Sequence, residues 1–239
     1  MDTLESPNRL SHIATGLAVI LFPAVWCFAF AVHPDLLHPH LLLGPEELIW
    51  RAHNNGLLQF AHVLVTVNCA LLVVLTLHFT RLLDGTRAAR AGSVGASLAI
   101  LGAVMLAAEK GAQCLTMSAL DTLPEKQFDA MVPGLVAIFS FKGWMAVTWG
   151  LVLMPIGVLI QAAGLWRARV LPAWQAGILL VSLVFIGFPD GAEIVNLTAA
   201  IAMAIALIPL GVRLISAPPA AARRPLPRTP AAAGAPPSG

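Results

Sequence analysis

The chain has 239 residues, of which 58% are hydrophobic and 11% are charged, and its formal net charge is +2. Soluble domains average about 45–50% apolar and about 25% charged residues, so this composition excludes an ordinary water-soluble protein. The small net charge, without a Lys/Arg-rich run interleaved with aromatic residues, excludes a nucleic-acid-binding protein.

Several apolar runs reach the ~20 residues that a helix needs to cross about 30 Å of hydrocarbon. The sequence predicts spans at about 12–32, 57–80, 91–117, 143–165, 174–188 and 192–215. Together these runs predict an all-α, polytopic transmembrane bundle with six spans, built as a single domain over residues 12–215.

Both ends of the chain lie outside this predicted bundle. The first apolar run is longer than the apolar core of a signal peptide, about 7–15 residues, and the leader before it carries Asp2 and Glu5 as well as Arg9. We therefore expect a retained first helix behind a cytoplasmic segment, residues 1–11. Residues 216–239 are rich in Pro and Ala and lack apolar periodicity, which predicts a disordered cytoplasmic tail.

The connections between the spans differ in length and polarity. Proline and glycine residues break the chain after the first span, and residues 46–53 then predict a short helix at the membrane interface. Residues 121–129 are predicted to be a charged connection. The apolar stretch 131–166 is too long for one crossing and is interrupted by Lys142, so the fourth span is predicted to begin at about residue 143.

Charged residues divide unequally between the two sets of loops that six alternating spans create. One set holds ten basic and three acidic residues: Arg9, Arg81, Arg87, Arg90, Arg167, Arg169, Arg213, Arg223, Arg224 and Arg228, with Asp2, Glu5 and Asp84. The other holds four basic and nine acidic residues: Arg51, Lys110, Lys126 and Lys142, with Asp35, Glu46, Glu47, Glu109, Asp121, Glu125, Asp129, Asp190 and Glu193. Because cytoplasmic loops are enriched in Lys and Arg, we expect both chain ends in the cytoplasm of a bacterium, with the bundle in its inner membrane.

Small residues recur along two of the predicted spans. The fourth span carries Gly143, Gly150, Gly157 and Gly164 at seven-residue spacing, and the third carries Gly95, Ala99, Gly102 and Ala103. Such faces let helix backbones approach closely in a membrane. They predict packing seams inside the bundle, or else a surface that lines a substrate path or binds other membrane subunits or a second copy of the chain.

Polar residues gather at the predicted outer ends of the spans. The candidate ligand-binding residues are Gln59, His62, Glu109, Lys142, Asp190, Glu193 and Asn196. Ionisable groups at membrane depth are costly and normally face a cavity or a partner, so this cluster predicts a polar vestibule for a small solute or ion. The alternative is that these groups mark helix ends, reach to water and form pairs such as Lys142 with Glu193.

No cofactor is predicted from the histidines or cysteines. His33, His38, His40 and His53 crowd the first outer loop, but the His-Pro-His at 38–40 is not a recognised metal-binding spacing, so metal binding stays open. Haem is not favoured, because no histidine follows His78. The three cysteines have no C-x-x-C spacing, and no nucleophile elbow, P-loop, H-E-x-x-H or dinucleotide-binding turn is present.

The junction at residues 164–177, with the sequence GLWRARVLPAWQAG, ends one helix in a basic turn and opens the next with Leu-Pro-x-Trp. It resembles a junction of bacterial multi-helix membrane proteins that form a domain family of unknown function. That resemblance implies an amphipathic outer segment after the first span and a second outer connection between the third and fourth spans. It implies no activity, cofactor or functional residue.

Three interpretations of function follow from the sequence. The first is a membrane protein that binds a small solute or ion in its outer vestibule, which a cavity lined by His62 and Glu193 would favour. The second is an accessory protein that associates with other membrane subunits through its glycine-rich faces, which glycine seams facing lipid would favour. The third, a metal-dependent or redox membrane enzyme, has the least support, because nothing in the sequence argues for catalysis.

Overall fold

The computed structural model describes residues 6–33, 36–37, 44–187 and 192–216. Over these ranges the chain forms helices and turns and no strand, which confirms the all-α fold class. Five helical segments are long and apolar enough to cross a membrane: Arg9–Ala31, Gly56–Leu83, Ala89–Leu120, Gly143–Arg167 and Glu193–Ser216. They correspond to five of the six predicted spans. The predicted tail beyond Ser216 lies outside the described residues.

The described helices are numbered here in chain order. They are α1 (Ser6–Ala31), α2 (Pro45–Ala52), α3 (Gly56–Leu83), α4 (Ala89–Lys110), α5 (Thr116–Leu120), α6 (Glu125–Phe139), α7 (Leu153–Arg167), α8 (Ala173–Phe185) and α9 (Glu193–Ser216). A π-helical turn, Gly111–Leu115, joins α4 to α5 without a break, and a 3-10 helix, Gly143–Val152, leads into α7.

The fifth predicted span is shorter than expected. It corresponds to α8, which has 13 residues and therefore rises about 20 Å at ~1.5 Å per residue, less than the ~30 Å of hydrocarbon. Residues 188–191, which follow it, lie outside the described part of the chain. The apolar composition predicted the helix correctly, while a crossing by it is not shown.

Six helices of the described chain form a closed ring. Following contacts around it, α1 packs on α3, α3 on α4, α4 on α7, α7 on α8, α8 on α9, and α9 returns to α1. Although α8 is short, it packs between α7 and α9 as a member of the ring. This ring buries one continuous apolar core, to which all six helices contribute.

Glycines allow two pairs of ring helices to approach closely. A Cβ on Gly95 of α4 would lie 2.6 Å from the carbonyl oxygen of Gly157 in α7, and a Cβ on Gly16 of α1 would lie 2.8 Å from that of Gly211 in α9. The small-residue faces of α4 and α7 are therefore occupied by each other, as the packing-seam interpretation predicts. They no longer support the binding of other subunits through those faces. The seven-residue seam also starts later than predicted, because Gly143 has nothing within 4 Å.

Buried amide side chains connect the ring helices. Gln161 of α7 donates to the carbonyl oxygens of Thr76 (3.0 Å) and Gly92 (2.9 Å), on α3 and α4. Gln175 of α8 donates to the Ala206 carbonyl of α9 at 3.1 Å. Since lipid offers no partner to such groups, these amide N–H donors bond to carbonyl oxygens of neighbouring helices and so hold the helices in register.

The sequence interpretation missed one helix and assigned the wrong helix type to another segment. Residues 121–129 were predicted as a connection, but α6 begins at Glu125, directly after Pro124, and buries Phe128, Val132 and Leu135. These apolar positions lie four and three residues apart, the spacing of one helix face. The predicted start of the fourth span, Gly143–Val152, is a 3-10 helix rather than an α-helix.

The helices α2 and α6 pack together and form a cap over one end of the ring, called the cap end below. The predicted short helix at 46–53 is confirmed as α2, Pro45–Ala52. Their apolar side chains form a second core, separate from that of the ring, together with residues at the start of α3 and in α5: Ile49, Ala52, Leu58, Met117, Phe128, Val132 and Leu135. The cap is therefore held on the bundle by its own apolar core.

Candidate functional site

A cavity of about 80 Å³ lies between the cap and the ring. A water molecule needs roughly 10–15 Å³ measured in this way, so the cavity has room for a few waters or one small solute. It is lined by His33, Leu48, Arg51, Ala52, Leu58, Gln59, His62, Glu109, Lys110, Gln113, Cys114, Met117, Phe139, Phe141 and Glu193. Both His62 and Glu193 line it, as the vestibule interpretation predicts.

Glu193 enters the cavity from the first turn of α9. Its carboxylate Oε1 lies 3.2 Å from His33 Nδ1, beyond the end of α1, and its side chain is buried. The sequence interpretation paired Glu193 with Lys142 instead. That pairing is wrong, because Lys142 is exposed, does not line the cavity and forms no ion pair within the described chain.

Glu109 enters from the last turn of α4. Its Oε1 lies 3.3 Å from the Nζ of Lys110, the next residue. The residue is 4% exposed, and its second carboxylate oxygen, Oε2, is buried without a hydrogen-bond partner in the described chain. A buried acceptor without a partner costs about 1–3 kcal/mol, and more if charged, so Oε2 of Glu109 would gain from a hydrogen-bond donor inside the cavity.

His62 of α3 and Cys114 of the π-helical turn face each other across the cavity wall. The Cys114 sulphur lies 3.0 Å from His62 Nδ1, and the His62 ring meets the His33 ring edge-on with centroids 5.7 Å apart. A π turn holds one more residue than an α turn and is frequent at functional sites. Here that turn buries Gln113 and Cys114 together.

Gln59 has a structural role beside its place on the wall. Its side-chain amide donates to the Ala52 carbonyl at 3.0 Å and also to Asp121 Oδ2, at the end of α5. The other carboxylate oxygen of Asp121 lies 2.7 Å from His53 Nδ1, and the Asn54 backbone donates to Oδ2 at 3.0 Å. This network, called the Asp121 latch below, fastens the α2–α3 corner to α5.

Aromatic side chains close the cap over the cavity. The His53 ring stacks on Phe128 of α6, with centroids 3.8 Å apart, and joins the latch to the cap core. Phe141, which follows α6 and lines the cavity, has a φ of 54°. That left-handed conformation is uncommon for a bulky side chain, and here it ends α6 through backbone hydrogen bonds from Phe141 and Lys142 to Ile138 and Ala137.

The candidate residues therefore differ in whether they line the cavity. Gln59, His62, Glu109 and Glu193 are brought together at the cavity, whereas Lys142 is not. Asn196 is buried, but its Oδ1 accepts from the Gly187 backbone at 2.8 Å, which ties α9 to the end of α8. Asp190 lies outside the described residues.

Five polar lining residues were not among the sequence candidates: His33, Arg51, Lys110, Gln113 and Cys114. His33 stood out only as part of a histidine-rich loop. Cys114 carried no signal by itself, since its meeting with His62 depends on how α3 packs against the π-helical turn. Regular helical spacing could not reveal a π turn.

The donor set does not form a recognisable metal centre. No group of three or more His, Cys, Asp or Glu side chains in the described residues could hold a metal ion. His38, His40 and Asp35 of the first loop lie outside those residues. Comparison with known proteins adds no candidate chemistry, because no family model, curated protein or solved structure matches this chain.

Proposed function

We propose that this chain is an integral membrane protein that binds a small cationic or hydrogen-bond-donating solute in the cavity beneath the cap. The unpartnered Oε2 of Glu109 carries this proposal. A carboxylate oxygen only accepts hydrogen bonds, so a solute that donates one, and that carries a positive charge, would offset its burial.

The rest of the cavity wall favours the same class of solute. Glu193, His33 and His62 add acceptors, while both cations of the lining are already engaged, Lys110 by Glu109 and Arg51 by Glu47. A volume of about 80 Å³ limits the solute to the size of ammonium or methylammonium with few waters. Apolar residues such as Leu58 and Met117 complete the wall, which suits a methyl group better than a fully hydrated metal ion.

A topology of six spans with both ends in the cytoplasm belongs to this proposal. It is supported by the contact of Gly16, early in α1, with Gly211, late in α9. At the other ends of the same helices His33 meets Glu193. The two helices are thus antiparallel, so the start of α1 and the end of α9 lie on one side of the ring, which supports an even number of crossings.

The orientation in the membrane follows from the charges at the two ends of the ring. Arg87, Arg167 and Arg169 lie in turns at the end opposite the cap, and cytoplasmic loops are enriched in such residues. We therefore place the cap and its cavity at the outer face of a bacterial inner membrane. Solute would reach the cavity from outside, past the cap.

The test is a thermal-unfolding titration of the full-length protein in a neutral detergent. Ammonium and methylammonium chloride are compared with sodium chloride at equal ionic strength, and Tm is followed by tryptophan fluorescence. We expect a saturable rise in Tm with methylammonium that Glu109→Gln abolishes. The matched control, Glu125→Gln, alters an exposed carboxylate of the cap and should keep the rise. Equal shifts with sodium, or an unchanged shift in Glu109→Gln, would refute the proposal.

A further inference from the structure

A second cavity, of about 1150 Å³, opens at the end of the ring opposite the cap. It lies between the α3–α4 turn and the α7–α8 turn and is called the arginine groove here. Its lining is Gly85, Thr86, Arg87, Ala88, Ala91, Ile160, Ala163, Gly164, Arg167, Ala168 and Arg169. Three arginines and no acidic residue stand in this set.

The three arginines have no partner of their own in the described chain. Arg87, Arg167 and Arg169 are exposed, and none of them forms an ion pair or a side-chain hydrogen bond there. The nearby acid, Asp84, is outside the lining and accepts from the Gly85 backbone at 3.0 Å. The groove thus offers uncompensated positive charge from two separate turns.

Arg169 stands where a helix normally ends in glycine. Hydrogen bonds from Val170 N to Leu165 O and from Arg169 N to Trp166 O, each 3.0 Å, make a Schellman motif after α7. Its left-handed position usually holds glycine, because other residues are strained there by roughly 1 kcal/mol. Arg169 occupies it with φ 56°, so the side chain is present at a position where glycine would be more stable.

Small residues make up most of the groove lining, and two exposed tryptophans lie close to it in the sequence. Glycine and alanine make up most of the lining, and Ile160 lies about two turns deeper along α7 than Arg167. Trp166, which precedes Arg167 of the groove in the chain, and Trp174, near the start of α8, are exposed. Tryptophans of this kind lie at the headgroup level of a bilayer, so the groove opens where lipid headgroups are.

We propose that the arginine groove binds the phosphate of an anionic phospholipid headgroup, with its acyl chains running down the face of α7 at Ile160. Guanidinium groups bind phosphate oxygens in pairs, and basic pockets between transmembrane helices are suited to anionic headgroups. This inference uses no residue of the cap-end cavity. Its failure would leave the proposed solute site untouched, and the reverse also holds.

The experiment titrates full-length protein in neutral detergent with dioleoyl phosphatidylglycerol, and separately with dioleoyl phosphatidylcholine, while Tm is followed. We expect a saturable rise with the anionic lipid only. Arg167→Gln with Arg169→Gln should weaken the apparent affinity by about thirtyfold, or ~2 kcal/mol. The matched control is Arg81→Gln with Arg90→Gln, which removes the same charge at the same end of the bundle but outside the groove, and it should bind as wild type does.

The other outcomes each overturn the inference. Equal weakening in both double variants would mean a diffuse charge effect without a site, and an equal rise with phosphatidylcholine would mean no headgroup selectivity. If inorganic phosphate alone reproduces the rise, the ligand is free phosphate rather than lipid. Should the double variant fail to fold, Arg169→Gly serves instead, because it relieves the left-handed strain. It should raise Tm without lipid and shrink the lipid-dependent rise, and an undiminished rise would refute the inference.

Discussion

His33 and Glu193 join the first and last described helices of the ring at the cap end, with Nδ1 and Oε1 3.2 Å apart. Both side chains line the cavity, so this pair both connects α1 to α9 and forms part of the cavity wall. We expect His33→Ala to lower the free energy of unfolding by about 1–3 kcal/mol, because it removes a partner from a buried carboxylate. Thermal unfolding in detergent measures this change in stability. His12→Ala, at the other end of α1 and exposed, is the control and should change Tm little.

The Asp121 latch predicts local opening of the cap. Asp121→Ala removes the acceptor of His53, Asn54 and Gln59 at once, and hydrogen bonds to a charged group contribute about 1.5–3 kcal/mol. Hydrogen exchange measured by mass spectrometry should become faster in α2 and α6 and stay unchanged in α9. Asp129→Ala, an exposed acid of α6, should leave both rates as they are. Uniformly faster exchange would mean that the cap is not a separate unit.

Two glycines predict opposite effects of the same substitution. Gly157→Ala places a methyl group against the backbone of Ala99 in α4, while Gly177→Ala in α8 meets nothing within 4 Å. The first should destabilise by about 1–3 kcal/mol through overpacking, and the second should stabilise by about 0.5–1 kcal/mol because alanine favours a helix. Thermal unfolding of the two variants decides. A stable Gly157→Ala would contradict the close α4–α7 crossing.

The contact between Cys114 and His62 predicts a selective thiol. A small reagent such as methyl methanethiosulfonate should label Cys114 through the cavity, and the imidazole 3.0 Å away should accept the thiol proton during attack. His62→Ala should therefore slow this labelling by roughly tenfold or more. Mass spectrometry follows Cys27 in the same samples as an internal control, since it lies in α1 away from the cavity. Equal rates in both proteins would show that the pair is only a packing contact.

The number of crossings can be read with reporter fusions. Alkaline phosphatase, which is active only outside the cytoplasm, is fused after Thr86, Thr122, Ala168 or Gly187. Six spans predict activity after Thr122 and Gly187 and none after Thr86 and Ala168. Low activity after Gly187 would mean that α8 does not cross.

Apolar runs of sufficient length predicted most of the ring, because hydrocarbon thickness sets the length of any helix that crosses it. The same criterion of apolar length failed to predict α6. Its apolar residues merged with the following stretch into one run, while Phe128, Val132 and Leu135 in fact face α2 in the cap. A length criterion cannot separate a helix that lies against protein from one that faces lipid.

Only the parts of the candidate site that lie at the ends of apolar helices could be predicted from the sequence. Glu109 and Glu193 were predicted because a charged residue at the end of an apolar helix normally faces a cavity or a partner. The partner of Glu193 was not predicted, since it depends on the packing of α1 against α9, which brings His33 rather than Lys142 to the carboxylate. The partner of Cys114 was likewise hidden, because the π-helical turn changes the direction of its side chain.

The meeting of α1 with α9 also orders the biogenesis of the protein. The chain enters the membrane from its first helix onward, and α9 is the last described helix to be made. Until it arrives, Gly16 has no Gly211 to pack against, and the cavity has no Glu193 wall. A chain that stops short of α9 therefore leaves the face of α1 around Gly16 without its packing partner. The cavity beneath the cap is therefore complete only once α9 has been made.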